Sequence, residues 1–456
     1  MMFGKIRHIH FVGIGGIGMS GIAEVLANLG YQVSGSDLKE SPVTQRLKSL
    51  GIRVTLGHEA SHIVGAQVVV ISSAVNNDNP EVLAAKNAKI PVIPRGEMLA
   101  ELMRMKYGIA IAGSHGKTTT TSMIAQVLSN SGIDPTIVIG GKLGIIGSNA
   151  KLGNGQFLVA EADESDGSFL ILSPTIGVIT NVDLEHVDYY KNIYDVMDAF
   201  TAFGNKIPFY GSLFICADDP NLAIIQPNLK RRVITYGIDN LADIRATDIR
   251  TKGWRTGFQV QAYGNNLGSF LLEVPGHHMV LNALATIGVA MELDVDITII
   301  RDSLSNFTGA ERRFQKRGEH NNIMVIDDYG HHPTEITATL KAARQCFPDR
   351  RVVVAFQPHR YTRINALLEE FGRAFRYADK VLVTDIYAAG EQPIPGITGR
   401  SLFNAILACG STDVSYVPKI EDLAKTLQRD TSPGDLVITM GAGSITSVGA
   451  SFLSLI

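Results

Sequence analysis

The 456-residue sequence predicts an α/β protein of three domains. Three observations lead there. Short apolar runs alternate with amphipathic helical stretches along the chain, the pattern of strand–helix units around a mainly parallel sheet. Two glycine-rich loops, at 13–18 and 113–118, each join such a strand to a helix. The length also exceeds what one hydrophobic core organises.

Composition sets the broad class. Hydrophobic residues make up 45% and charged residues 19%, which suits a folded enzyme and argues against disorder. The net charge is −3 and no Lys/Arg stripe is present, so nucleic acid is not an expected partner. No apolar run is long enough for a bilayer, so no membrane contact is expected. The opening MMFGKIRHIHFVGIGG lacks an unbroken apolar region and a cleavage site, and reads as a first strand. Cys216, Cys346 and Cys409 are far apart and fit neither a disulfide framework nor a metal site, as expected of a reducing cytoplasm.

The first domain, 1–106, reads as Rossmann-like. A strand over Lys5–Val12 runs into Gly13-Ile14-Gly15-Gly16-Ile17-Gly18, then a helix from about Ser20 to Leu29. A second strand ends in Asp37, nineteen residues past Gly18. Glycines for the tight turn and close approach, with an acid for a ribose hydroxyl, form the dinucleotide fingerprint. It specifies a nucleotide diphosphate without saying which, and tight packing without a ligand would use the same glycines. A further strand, Val68–Ser72, leaves Ser72-Ser73 at the sheet's carboxyl end.

The second domain, 107–311, opens on YGIAIAGSHGKTTTTSMIAQVL, a strand, a glycine loop and a helix. This is a P-loop ATPase-like cradle: backbone N–H groups and the helix N-terminus face an anion, Lys117 reaches the β- and γ-phosphates, and Thr118 holds Mg²⁺. The usual motif has a glycine five residues before Gly116; Ile111 stands there, so the loop is two residues shorter. The strand Phe157–Ala160 ends in Glu161-Ala162-Asp163-Glu164-Ser165-Asp166, and Thr175–Val182 ends in Asp183-Leu184-Glu185-His186. Carboxylates at strand tips beside a phosphate loop suit a hard cation; a solvated acidic turn has the same composition. The stretch 239–275 alternates and reads as an antiparallel excursion, followed by a helix from about Val280 to Met291.

The third domain, 312–456, is again Rossmann-like. Strands at Ile323–Ile326, Arg351–Phe356, Lys380–Thr384 and Leu436–Met440 place DDYGHHPTE and QPHRYTR at their carboxyl ends. His359, Arg360 and Arg363 fit a binding loop or a solvated one.

Taken in order, GIGGIGMSG, GSHGKTTTT, EADESD, DDYGHHPTE, QPHRYTR and YAAGEQPIPG closely resemble the Mur ligase family over nearly the whole chain. The resemblance implies three domains, for a UDP-sugar, for ATP and for an amino acid, and a role in bacterial peptidoglycan synthesis in the cytoplasm. The reaction it implies is ATP-dependent ligation of L-alanine to the lactyl carboxylate of UDP-N-acetylmuramate, by a monomer or weak homodimer.

Carried onto this chain, the resemblance has Gly113, Ser114, His115, Gly116, Lys117, Thr118 and Thr119 hold the ATP phosphates. His278, Asn282 and Arg313 also face ATP. Thr118 and Glu161 bind one Mg²⁺ and His186 a second, giving two in all. Gly15, Gly16, Ile17, Gly18, Asp37, Ser72 and Ser73 hold the UDP-sugar. Tyr329, His331, Arg360 and Arg363 line the amino-acid site. Lys117, His186, Arg313 and His331 are the catalytic candidates, His331 as a base. The chain departs from the family at Met279, where asparagine is common, and at Phe200-Thr201, where sister ligases carry a carbamoylated lysine. No carbamate is therefore expected. A nicotinamide-dependent oxidoreductase would leave the phosphate loop and EADESD without a purpose. A regulatory ATP-binding protein and a ligase that recycles a peptide remain the other readings.

Overall fold

A computed structural model describes residues 5–72, 74–143, 148–410 and 413–456. Among them lie three sheets. The first has five parallel strands in the order Arg53–Leu56, Gln32–Asp37, His8–Val12, Val68–Ile71 and Val92–Pro94. Strand order reverses beside His8–Val12, which opens a crevice at its carboxyl end. The helix that follows spans Ile17–Asn28, three residues ahead of the sequence expectation, because the extended Gly16 already serves as its N-cap.

The central sheet has ten strands. Tyr107–Ala112 lies at its heart, parallel to Phe157–Glu161 on one side and Ile176–Ile179 on the other. Helices Lys117–Asn130 and His277–Glu292 pack together. The latter starts before the expected Val280: Gly276, at φ +109°, turns the chain early and brings His278 into the first turn. The antiparallel excursion comprises Ile244–Lys252, Arg255–Ala262 and Asn265–Leu272. At the opposite edge, Thr136–Leu143 and Ser148–Lys151 form a hairpin that the sequence did not announce. It packs on helix Ile17–Asn28, with Asn149 Nδ2 donating to Ser20 Oγ at 3.0 Å, and so ties the first sheet to the second.

The third sheet runs Gln315–His320, Ile323–Asp328, Leu436–Met440, Val352–Phe356, Lys380–Val383 and Asp413–Tyr416. Only the first pair is antiparallel. Its central strands are fully buried, as their unbroken apolar runs require. Among the described residues no helix is long and apolar enough to cross a membrane.

One buried polar cluster organises the first domain. Glu81, wholly buried, accepts from His10 Nε2 at 2.7 Å, Ser36 Oγ at 2.9 Å, His58 Nδ1 at 3.0 Å and His62 Nδ1 at 3.3 Å. Burial alone would raise this carboxyl, but the hydrogen bonds from His10, Ser36 and His58 override it and hold it at about 2. A carboxyl whose folded pKa lies below its unfolded one stabilises fully above the unfolded value and loses that effect as pH falls through the folded one. Glu81→Gln is therefore expected to cost on the order of 3 kcal/mol at about pH 7 and roughly half that at about pH 3. The first urea transition measured at both pH values checks this; an unchanged difference would show that the charge is immaterial.

Candidate active site

The phosphate loop is built by steric exclusion. Gly113 has φ +125°, and a Cβ there would lie 2.0 Å from Thr180 Oγ1. Gly116 has φ +83°, and its Cβ would lie 2.9 Å from Asn282 Oδ1. Neither position admits a side chain, so the backbone follows the neighbouring strand end closely. Asn181 fixes the loop by accepting from His115 N at 2.8 Å. Helix Lys117–Asn130 begins at Gly116 with no side-chain cap, which leaves its first N–H groups for an anion.

Lys117 Nζ donates to Gly113 O at 2.6 Å, Ser114 O at 3.2 Å and Glu164 Oε1 at 2.8 Å. Burial would discharge the ammonium, but Glu164, Asp163 and Glu161 together raise its pKa. Glu161 sits at the tip of Phe157–Glu161, with Gly140 N and the Thr118 hydroxyl as partners, and burial pushes its carboxyl up. Its Oε1 is buried without a partner, as is Oε2 of Glu164. His186, at φ +52°, points Nε2 to within 3.5 Å of Glu164 Oε1. Unpartnered carboxylate oxygens beside a hydroxyl and an imidazole fit a divalent cation. Of the residues expected at the metal, Thr118 hydrogen-bonds Glu161, and His186 lies beside Glu164. Phe200 is buried in the core against Phe169, and the Thr201 hydroxyl is bonded to Met197 O.

A cavity of about 370 Å³ adjoins this loop between the second and third domains. His115, Gly116, Thr119, His278, Asn282 and Arg313 line it, as the sequence expected of ATP-facing residues. Met279 lines it too. Asn181, Asp183, Asn221, Tyr236, Thr334 and Glu335 were missed. The position of Asn181 and Asp183 at a strand tip was the available signal; for Asn221 and Tyr236 there was none. Burial lowers the His278 imidazole to about 4, with Arg313 adding to it, so His278 is neutral at physiological pH.

The first domain holds a second cavity of about 540 Å³, lined by Gly15, Gly16, Asp37, His58, Ser72 and Asn79 among others. Asp37 Oδ2 accepts from Gly15 N at 2.8 Å. Ile17 and Gly18 are not part of it. Gly18 backs onto Arg95, and Ile17 faces a third cavity of about 310 Å³ with Arg46, Thr118, Arg312, Arg313 and Tyr329. The glycine turn accounts for this: by Ile17 the chain is already helical and has left the crevice. Ser73 lies outside the described residues. The third cavity lies between helix Ile17–Asn28 of the first domain, Thr118 at the phosphate loop, and Arg312, Arg313 and Tyr329.

Charges cross the seam between the second and third domains. His115 Nε2 donates to Asp183 Oδ2 at 3.1 Å, and its Nδ1 lies 3.5 Å from Glu335 Oε1. Burial opposes a charge there, yet Asp183 and Glu335 raise the imidazole to about 10, so it is an imidazolium. Thr334 Oγ1 donates to Asp183 at 2.6 Å, and Arg313 Nη1 to Glu335 at 3.2 Å. Tyr329 and His331 meet edge to face at 5.4 Å, and His331 meets His359 at 5.7 Å. Arg363 Nη1 contacts His359, while Nη2 donates to Glu185 at 3.0 Å. Arg360 turns away to Asp188 at 3.2 Å. The structure therefore groups Tyr329, His331 and Arg363, and places Arg360 at their edge. Burial lowers His331 to about 4, and Arg363 adds to it; Nδ1 faces Tyr329 O at 3.0 Å, which leaves Nε2 unprotonated.

Three cavities, a glycine-rich loop at a helix N-terminus and a carboxylate–imidazole cluster are the arrangement expected of a ligase that binds a nucleotide. Residues 8–107 match the Mur ligase family catalytic domain, 111–290 the Mur ligase middle domain and 312–443 the Mur ligase glutamate ligase domain. The chain belongs to the Mur ligase family. It is 57% identical to the UDP-N-acetylmuramate–L-alanine ligase of Geobacter sp. (strain M21), covering 99% of this chain and 98% of that one. Identity to the enzyme of the same name from Geobacter sulfurreducens is 58%, with the same coverage. The crystal structure of the UDP-N-acetylmuramate–alanine ligase of Thermotoga maritima superposes with a TM-score of 0.83 at 30% identity, covering 99% of both chains. A murein peptide ligase from Psychrobacter arcticus reaches 0.73 at 25% identity over 98% of both.

Arg363→Ala would remove the largest counter-charge of Glu185, which is 6% exposed. Removing one partner of such a pair costs about 3–5 kcal/mol. The variant is expected to loosen the third domain, read as faster proteolysis near 305–315 or a larger radius of gyration. Parent behaviour in both would show that this pair does not hold the seam.

Proposed function

We infer that this chain catalyses the ATP-dependent ligation of L-alanine to the lactyl carboxylate of UDP-N-acetylmuramate, releasing ADP and phosphate, in peptidoglycan precursor synthesis. Full-length identity of 57–58% to ligases of that name carries the reading. The cavities support it, since one lies in the first domain, one beside Thr118 and one at the seam, the last two sharing Arg313. We assign the UDP-sugar to 1–106, ATP to 107–311 and the amino acid to 312–456. The proposed compartment is the cytoplasm, consistent with three free cysteines.

A carboxylate is a poor acyl donor, so the lactyl group is first phosphorylated by ATP. Lys117 and the N-terminus of helix Lys117–Asn130 stabilise charge on the transferring phosphoryl. Two Mg²⁺ ions would be held at Thr118 with Glu161 and at His186, where they would neutralise phosphate charge. Arg313 borders both the ATP-side and middle cavities, and so is placed to follow the phosphoryl between them. The amine of L-alanine then attacks the acyl carbon and phosphate leaves. Tyr329, His331 and Arg363 orient the amino acid, with Arg360 at the rim. His331 presents an unprotonated Nε2 as proton acceptor, though burial makes it a weak base. The charged seam keeps water from the acyl phosphate.

Phosphate release by the purified protein should require ATP, Mg²⁺, UDP-N-acetylmuramate and L-alanine together. A tripeptide accepted in place of L-alanine would instead indicate a recycling ligase. Lys117→Ala should lower turnover by at least about 100-fold at saturating ATP; near-normal turnover would refute the phosphate-loop assignment. Asp37→Ala should raise KM for the UDP-sugar and leave KM for ATP alone. The reverse pattern would mean the two nucleotide sites are exchanged.

A further inference from the structure

The segment Glu161–Asp166 carries four carboxylates, and they are not equivalent. Asp163 is neutralised by Arg95 at 2.9 Å and also accepts from Ser165 N. Asp166 caps Ser168 N. Glu161 and Glu164 each keep one buried oxygen without a partner. Glu164 is the more extreme: its side chain is 1% exposed. A buried carboxylate that lacks a full set of partners is costly unless something else completes it.

What surrounds Glu164 narrows the possibilities. Its Oε1 faces Lys117 Nζ at 2.8 Å and His186 Nε2 at 3.5 Å. Lys117 has three N–H donors, and Gly113 O, Ser114 O and Glu164 occupy all three. A phosphate can be bound by this ammonium only if one acceptor yields. The two carbonyls belong to a loop fixed by Thr180 and Asn181. The main chain of Glu164 is fixed as well, by the Tyr190 hydroxyl on its carbonyl at 2.9 Å. Glu164 is thus the one side-chain acceptor of the three, able to yield without moving the main chain, and the imidazole beside it is that of His186.

We propose that Glu164 is a ligand of the cation held at His186, exchanging Lys117 for that cation when a nucleotide's phosphates engage the lysine. The proposal rests on the two-cation reading of this ligase. It gives Glu164 two tasks that depend on one carboxylate. It neutralises Lys117 before phosphate arrives, and afterwards adds a hard oxygen donor where an imidazole alone would hold Mg²⁺ poorly.

Mn²⁺ binding, counted by electron paramagnetic resonance with β,γ-imido-ATP present, tests this without turnover. The parent is expected to take up two Mn²⁺ per chain. Glu164→Gln should retain one at parent affinity and bind the second at least about 10-fold more weakly. Glu164→Asp, charged but shorter, should fall between. In EDTA, the metal-free analogue should bind Glu164→Gln as well as or more tightly than the parent, because Lys117 is released. A purely structural role would weaken both kinds of binding, and that result would overturn the proposal. So would two Mn²⁺ at parent affinity in Glu164→Gln. If the parent itself takes up one Mn²⁺ only, it is the two-cation reading that fails.

Discussion

The central domain balances its own buried charge only in part. Asp183 and Glu185, just past the strand Ile176–Ile179, are both held well below the ordinary carboxylate range although burial pushes the other way. Their partners come from two domains: His115 from the central domain's own phosphate loop, and Thr334 and Arg363 from the third domain. A charge removed from water must find its counter-charge inside the protein. The docking of the third domain therefore follows from how the central sheet ends.

His115 is the meeting point. It sits between Gly113 and Gly116 in the loop, and its two ring nitrogens face carboxylates of different domains, Asp183 and Glu335. Glu335 in turn accepts from His331 N and pairs with Arg313. The phosphate loop, the residues grouped for the amino acid and the arginine shared by two cavities thus belong to one polar network.

The first domain is joined differently. Its contacts with the central domain include the packing of helix Ile17–Asn28 on the paired strands Thr136–Leu143 and Ser148–Lys151, with hydrogen bonds from Asn149, and the Arg95–Asp163 ion pair at 2.9 Å. Its own buried charge, Glu81, is satisfied internally by three histidines and a serine. Its cavity is lined by first-domain residues alone, whereas the cavity at the seam is lined by both the second and the third domain.

Much of this was legible in the sequence because it is local. Strand, glycine turn and helix occur within thirty residues at both loops, so Gly15, Gly16, Asp37, Lys117 and Thr118 could be named before any fold was known. The order of motifs also placed Glu161 and His186 at strand tips of one sheet. The sequence could not say that Ile17 and Gly18 leave the nucleotide crevice, because that depends on where the helix starts. Nor could it say that Arg360 and Arg363, three residues apart, part company, since Arg360 adopts φ +68° and faces Asp188 while Arg363 continues into a helix toward Glu185. Asn221, Tyr236 and Glu335 join the ATP-side cavity only through tertiary packing. The pairing of Lys117 with Glu164 is of the same kind. Forty-seven residues separate them, and two parallel strand ends bring an ammonium and a buried carboxylate into contact. Backbone chemistry is written in neighbouring residues, whereas the partner of a buried charge is chosen by which strands lie side by side.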